Sequence, residues 1–342
     1  MTLNVGLIGF GLSGRYFHAP FLKVNPHFQL AKVVTRNRPM VEEFDAQIAT
    51  VSTVDELLND DNIHLVFVCT PNHLHFEQAK AALEAGKHVV IEKPFANTVA
   101  EVEQLQAIAQ QKGLIATAYQ NRRWDADFLT VQQLVQNGQL GDVVEFESHY
   151  DRYRPEVAQG TWKEVAAAGA GNLYNLGPHL IDQALVLFGT PQSVTATIKT
   201  VRPQAETDDY FDIRLEYANK RIILKSSLLV YENSLRYLLH GTKGSFFKYG
   251  LDIQEDTLRK NQLPTTDDWG QEPDHQWGVL FANGQKQLIR STAGNYMPFY
   301  QNLYEAIAQG APIHVQPQHI WNTTRVMEAA LESSRTRRTV DF

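Results

Sequence analysis

The chain has 342 residues, 43% of them hydrophobic and 20% charged, with a formal net charge of −7. Its length suits about two domains at ~150 residues each, and its composition is that of an ordinary soluble globular protein. The negative balance argues against a nucleic-acid surface, the single cysteine (Cys69) rules out an internal disulfide or a thiolate metal cage, and no apolar run is long enough to span a bilayer. No basic segment followed by a cleavable apolar one opens the chain, so a cytoplasmic protein is the default expectation.

Over the first 120 residues, short apolar runs alternate with amphipathic stretches. The strand-like runs are "NVGLIGF" (4–10), "QLAKVVT" (29–35), "HLVFVC" (64–69), "HVVIE" (88–92) and "LIATAY" (114–119). They are rich in Val and Ile and nearly continuous, as strands covered on both faces should be. Helices are expected at "HFEQAKAALEAG" (75–86) and "TVAEVEQLQAIAQQKG" (98–113), each closed by a glycine. This alternation predicts a doubly wound parallel sheet. After residue 120 the pattern changes: a helix at about 126–137, a long strand at 143–153, a helix at about 171–188 and several strands between 191 and 249. These last runs favour an antiparallel sheet. A surface loop is expected over 261–276, then closing helices near 298–309 and 317–336. The expected domains are 1–120 and 121–342.

"GFGLSG" places Gly9, Gly11 and Gly14 after the first strand and at the opening of a helix. Alone, the G-x-G-x-x-G spacing is a weak signal, but strand–turn–helix is the context it needs to cradle a dinucleotide pyrophosphate. Phe10, Leu12 and Ser13 complete that turn. At the end of the second strand, an acidic residue would meet the ribose hydroxyls of NAD, but the chain offers "VVTRNR". Arg36 can pair with a 2′-phosphate, with Thr35 and Arg38 assisting, so NADP is favoured over NAD.

"CTPNHLH" and "IEKPF" end the fourth and fifth strands, so Cys69, Thr70, Pro71, Asn72, His75, Glu92 and Lys93 are expected along the ligand edge of the sheet. A lysine partly desolvated beside a cationic nicotinamide has its pKa pushed down toward working pH and can accept a hydroxyl proton. Further on, "LYNLGPHLID" sets Asn175, His179 and Asp182 on one helical face. Such a trio is either a buried polar network or one edge of an active site.

Together, "GLIGFGLSGRYFHAPFL", "VCTPNHLHFEQAKAALEAGKHVVIEKPFA" and "LYNLGPHLID" resemble the glucose–fructose oxidoreductase/inositol dehydrogenase (Gfo/Idh/MocA) family. "NRRWDADFLTVQQL", "FESHYDRYRPEV", "YGLD" and "GNYMPFY" are similar, more narrowly, to its bacterial NADP-dependent scyllo-inositol dehydrogenases. The resemblance implies an N-terminal Rossmann domain and a C-terminal α/β domain with a large open, mostly antiparallel sheet. It also implies a homodimer or homotetramer built through that sheet, and oxidation of a ring hydroxyl on a polyol or sugar. Lys93 falls on the family's catalytic lysine and His179 on its catalytic histidine. Asn121, Arg123 and Trp162 are assigned to the cofactor, and Tyr153 and Tyr296 to substrate, although single aromatics serve equally well in a core.

Asn175 stands where the family carries an aspartate. A unit charge at ~4 Å contributes ~4 kcal/mol at an effective dielectric of ~20, so its loss should ease deprotonation of Lys93 and His179. The expectation is a changed substrate preference or pH optimum. The alternative is a weakened, cofactor-binding regulator on the same fold, which Asn175 motivates and the retained Lys93 and His179 oppose. Asp182 is expected to anchor a structural hydrogen bond. No metal site is expected, because His73 and His75 lack a Cys or acidic partner at ligand spacing. No G-x-S-x-G nucleophile elbow is present.

Overall fold

The structure is a computed structural model and describes residues 1–231 and 235–342. The chain divides into two compact units, and neither is a continuous stretch. The first comprises Met1–Asn121, Gln254–Trp269 and Asn295–Trp321; the second comprises Arg122–Ile253, Gly270–Gly294 and Asn322–Phe342. A single break near residue 120 therefore separates the two sheets but not the packing: the chain re-enters the first unit twice.

The first unit holds a six-stranded sheet of β1 (Leu3–Ile8), β2 (Phe28–Val34), β3 (Ala49–Val51), β4 (Leu65–Val68), β5 (His88–Ile91) and β6 (Ala116–Ala118). All pairings are parallel, in the order β3-β2-β1-β4-β5-β6. This is the doubly wound Rossmann order, which reverses direction between β1 and β4. Every residue of β4 is fully buried, as the unbroken apolar run requires. The connecting helices are α1 (Ala19–Val24), α2 (Arg38–Phe44), α3 (Val54–Leu58), α4 (His75–Glu84) and α5 (Val99–Lys112). α5 starts in a reciprocal cap between Thr98 and Glu101 and stops at Gly113, whose φ of +66° suits glycine. β3 has no counterpart among the expected strands. At three residues on the sheet edge it is too short for a periodic signal.

The second unit starts with α6 (Ala126–Gln136), β7 (Val143–His149) and α7 (Gly171–Phe188). It continues with β8 (Ser193–Lys199), β9 (Tyr210–Glu216), β10 (Arg221–Ser227), β11 (Leu235–Gly241) and β12 (Gly244–Tyr249). α8 (Gln254–Arg259) returns to the first unit, and the hairpin β13 (Gly278–Ala282) and β14 (Gln285–Ile289) completes one side of the second sheet. α9 (Met297–Gln309) belongs to the first unit; α10 (Pro317–Thr336) begins there and ends in the second, followed by β15 (Val340–Asp341).

Among the described residues the second sheet has nine strands, in the order β14-β13-β12-β11-β7-β10-β9-β8-β15. Every pairing is antiparallel except β7 with β10. One face packs under α6, α7 and α10 through Phe128, Leu180, Ile181, Phe211, Ile213, Leu224 and Val326, all buried. The other face carries the alternate residues, among them Glu145, Arg214, Lys225, Phe247 and Phe281. The whole is the expected mixed α/β class.

Candidate active site

In the first unit, the phosphate turn follows β1 at the point where strand order reverses. Gly9 has φ +98° and its N–H donates to the Val34 carbonyl at 3.1 Å. A Cβ on Gly14 would sit 2.5 Å from the Gly9 carbonyl oxygen, so a larger residue would open the turn. A Cβ on Gly11 would meet nothing within 4 Å, which leaves clear space above the backbone for a pyrophosphate. The turn runs into a π-helical segment, Ser13–His18, that continues as α1. A dinucleotide fits this cradle.

After β2, the Thr35 hydroxyl accepts from the Asn37 N–H at 3.0 Å, and the Asn37 side chain caps α2 through the Met40 N–H. The turn thereby presents Arg36 and Arg38 outward. Both are exposed, and among the described residues neither has an ion-pair partner. A 2′-phosphate could approach them without breaking an existing pair.

The turns after β4 and β5 are clasped together by His75. Its Nδ1 lies 2.8 Å from the Pro94 carbonyl oxygen and its Nε2 2.8 Å from that of Thr70. The ring is fully buried, and burial lowers its pKa. His75 was expected along the ligand edge; it braces that edge from behind. Thr70 donates to Gln78 Oε1 at 2.6 Å, and Asn72 is also buried. Burial pushes the Cys69 thiol up, keeping it neutral. Lys93 follows Glu92 on the turn, and the Lys93 backbone N–H donates to Glu92 Oε2 at 3.2 Å. The Lys93–Pro94 bond is cis. Asn121 sits in a buried 3-10 turn after β6. Tyr296 differs from expectation: it is fully buried and packs against Phe17 and Phe21, with ring centroids 6.5 and 5.9 Å away. It is a core residue, as part of an apolar helix start can be.

In the second unit, α7 carries Asn175 and His179 one turn apart, with His179 6% exposed. Lys163 Nζ donates to Asn175 Oδ1 at 3.1 Å, so a cation stands beside the position where an aspartate was expected. Asp182 takes a two-pronged hydrogen bond from Arg123, with Nε and Nη2 each 2.7 Å from a carboxylate oxygen. Asp182 is the structural anchor expected, while Arg123, assigned to the cofactor, has its guanidinium fork committed to this pair. Tyr153 is half exposed, its ring edge against Tyr231 at 4.6 Å. Trp162 opens a short 3-10 turn, and Lys163 Nζ lies 5.8 Å from its ring centroid.

Several residues that position this site carried no signal taken up at the level of sequence. Asp208 receives the Leu173 N–H at 2.6 Å and its carbonyl receives the Asn172 N–H at 2.8 Å, closing the free start of α7. Gln183, further along α7, donates to the Arg122 carbonyl and accepts from buried Arg236 and Tyr237. Arg236 also pairs with Asp127 at 2.7 Å. His18 is the fourth, a lone polar residue within "YFHAPF". Among the described residues, no group of three or more His, Cys, Asp and Glu side chains is placed to hold a metal ion.

A parallel sheet with a phosphate cradle at its reversal point, joined to a largely antiparallel sheet, defines a dinucleotide-binding oxidoreductase of two sheets. Two family models agree: an oxidoreductase family NAD-binding Rossmann fold matches residues 3–120, and that family's C-terminal alpha/beta domain matches 132–342. The chain belongs to the Gfo/Idh/MocA oxidoreductase family. It is 41% identical over 343 aligned residues to scyllo-inositol 2-dehydrogenase (NADP(+)) IolW of Bacillus subtilis (strain 168), covering 99% of this chain and 96% of the relative. The uncharacterized oxidoreductase YdgJ of Escherichia coli (strain K12) is 39% identical over 99% of this chain and 98% of its own length. The solved structure of an oxidoreductase from Bacillus cereus superposes with a TM-score of 0.90 at 35% identity, covering 100% of this chain and 99% of that one.

Proposed function

We propose that the protein is an NADP-preferring dehydrogenase that oxidises a ring hydroxyl of an inositol or sugar. The observation that carries this reading is its 41% identity, over nearly the full length of both chains, to an NADP(+)-dependent scyllo-inositol dehydrogenase. NADP bound in the cradle would supply the hydride acceptor. Lys93 takes the hydroxyl proton as base, His179 orients the reacting hydroxyl, and Asn175 hydrogen-bonds a neighbouring one. Arg36 holds the 2′-phosphate, with Arg38 and Thr35 beside it.

The same reading includes pairing of copies through the second sheet. In support, Leu238, Phe247, Val279 and Leu288 lie side by side across β11 to β14 on the face away from the helices. Phe281 flanks them, with its ring 5.9 Å from that of Phe247. Among the described residues no helix is long and apolar enough to cross a membrane.

The test is nicotinamide absorbance with NADP and a panel of inositols, sugars and their keto forms. Turnover of at least one polyol, lost in Lys93→Ala, is expected. If the protein binds NADP yet turns over nothing across the panel, and Lys93→Ala binds NADP equally well, the cofactor-binding regulator is the better reading.

A further inference from the structure

Arg202 lies in the connection between β8 and β9 of the second unit, and its side chain is 1% exposed. The proposed chemistry does not use it, yet four of its five N–H donors are engaged. Nε donates to Asp209 Oδ2 at 2.9 Å, and Nη2 to Glu164 Oε2 at 2.7 Å. Nη1 donates to the carbonyls of Arg154 and Glu156 at 3.2 and 3.0 Å. Asp209 is itself fixed, accepting the Val201 and Arg202 N–H groups at 2.7 and 3.0 Å. One buried cation thus joins three segments: the chain beyond β7, the 3-10 turn Trp162–Glu164 and the connection into β9. A planar guanidinium does this through bonds of fixed direction, which a lysine in its place would not supply.

The residue this network seats is Lys163, next to Glu164 in the same turn. The Lys163 N–H donates to the Thr161 hydroxyl at 3.4 Å, and its carbonyl accepts from the Thr207 hydroxyl at 3.3 Å. From that backbone, Nζ reaches Asn175 Oδ1 on α7 at 3.1 Å. An ammonium has donors only, so the contact fixes the amide: Oδ1 is turned to the lysine and the Nδ2 donors to the opposite edge. The path from Arg202 to Asn175 is therefore two hydrogen bonds, of 2.7 and 3.1 Å, joined by adjacent residues.

We propose that Arg202 is a positioning residue for substrate recognition. Through Glu164 it seats Lys163, and Lys163 holds Asn175 with its Nδ2 donors offered to a substrate oxygen. Asn175 then donates to the neighbouring hydroxyl rather than accepting from it. The inference rests on Asn175 meeting the substrate, as in the proposed function.

The experiment compares KM and kcat for polyol oxidation with NADP across single and double variants, alongside NADP affinity from fluorescence titration. Lys163→Met keeps most of the stem and removes the donor. It is expected to raise KM for the polyol roughly tenfold, the size of one lost charged hydrogen bond, with kcat and NADP affinity nearly unchanged. Lys163→Arg keeps a donor and restores most of that loss. Arg202→Lys is expected to raise KM in the same way. The variant carrying both Arg202→Lys and Lys163→Met should be no worse than the more impaired single one, because both act through one contact. Glu164→Ala, which cuts the same path and leaves the Arg202–Asp209 pair, takes its place if Arg202→Lys fails to fold. Additive losses in the double variant overturn the proposal, as does a fall in melting temperature with KM unmoved. Wild-type protein that binds NADP and turns over no polyol would instead sink the reading of Asn175 as a substrate residue, and this inference with it.

Discussion

In the proposed function Arg36 and Asn175 are the two residues on which specificity turns, each by the presence or absence of one charge. Arg36 is exposed on a turn held by Thr35 and Asn37, so its removal should leave the fold intact. A hydrogen bond to a charged group is worth about 1.5–3 kcal/mol net. Arg36→Ala is therefore expected to raise KM for NADP by roughly 10- to 100-fold with little change for NAD, as initial rates with the two cofactors would reveal. Equal losses with both would show that Arg36 does not read the 2′-phosphate. At 175, the Asn side chain accepts from Lys163, an interaction that an aspartate would turn into an ion pair. Motif position alone nominates Lys93, Arg36 and Asn175 as the residues of the proposed chemistry. At His75, Tyr296 and Arg123, whose types also suit a ligand site, the structure shows side chains that clasp two turns, fill a core and pair with Asp182.

At the scale of elements, α7 matters most, since it carries both Asn175 and His179. The apolar periodicity of 171–188 gives its extent, but what holds it comes from distant strands. Its start is closed by Asp208, and its middle is fastened through Gln183 to Arg236, Tyr237 and the Arg122 carbonyl. Arg236 and Asp127 are both buried, and removing one partner of such a pair generally costs about 3–5 kcal/mol. Asp208 gives the helix a pH dependence. Burial raises its pKa from 3.8 to about 6. Between those values the native state binds more protons than the unfolded one, so stability falls as pH rises through this window. The decrease is at most about 3 kcal/mol. Asp208→Asn keeps an acceptor for the Leu173 N–H and removes the titration. Its melting temperature, relative to wild type, should rise between pH 4 and pH 6.5; parallel curves for the two proteins would refute the assignment. The hairpin β13–β14 has a local signature in "FANGQKQLI": Asn283 and Gly284 both adopt positive φ between the two strands, as an Asn-Gly turn requires.

For the whole molecule, the open face of the second sheet is the feature that invites assembly. Phe281 is 44% exposed and Leu288 52%, beside Phe247 on adjoining strands. Contiguous apolar surface of this kind is a common mark of a protein interface. Phe281→Glu with Leu288→Lys is expected to lower the molar mass in solution, measured by light scattering, without loss of the folded state. An unchanged mass would place the interface elsewhere. Both sheets were legible in outline, because continuous apolar runs and alternating ones differ in period and in the faces they bury. The amino-acid sequence by itself determined the parallel sheet, the phosphate turn, the absent ribose acid and the lysine at the edge of β5, since each depends on neighbours within a few residues. Only the tertiary structure decided that residues 254–269 and 295–321 return to the first unit, that His75 braces two turns, and that His18 reaches Glu92 across 74 positions. Those pairings depend on which side chains meet after the strands have been ordered, and local periodicity carries no record of that.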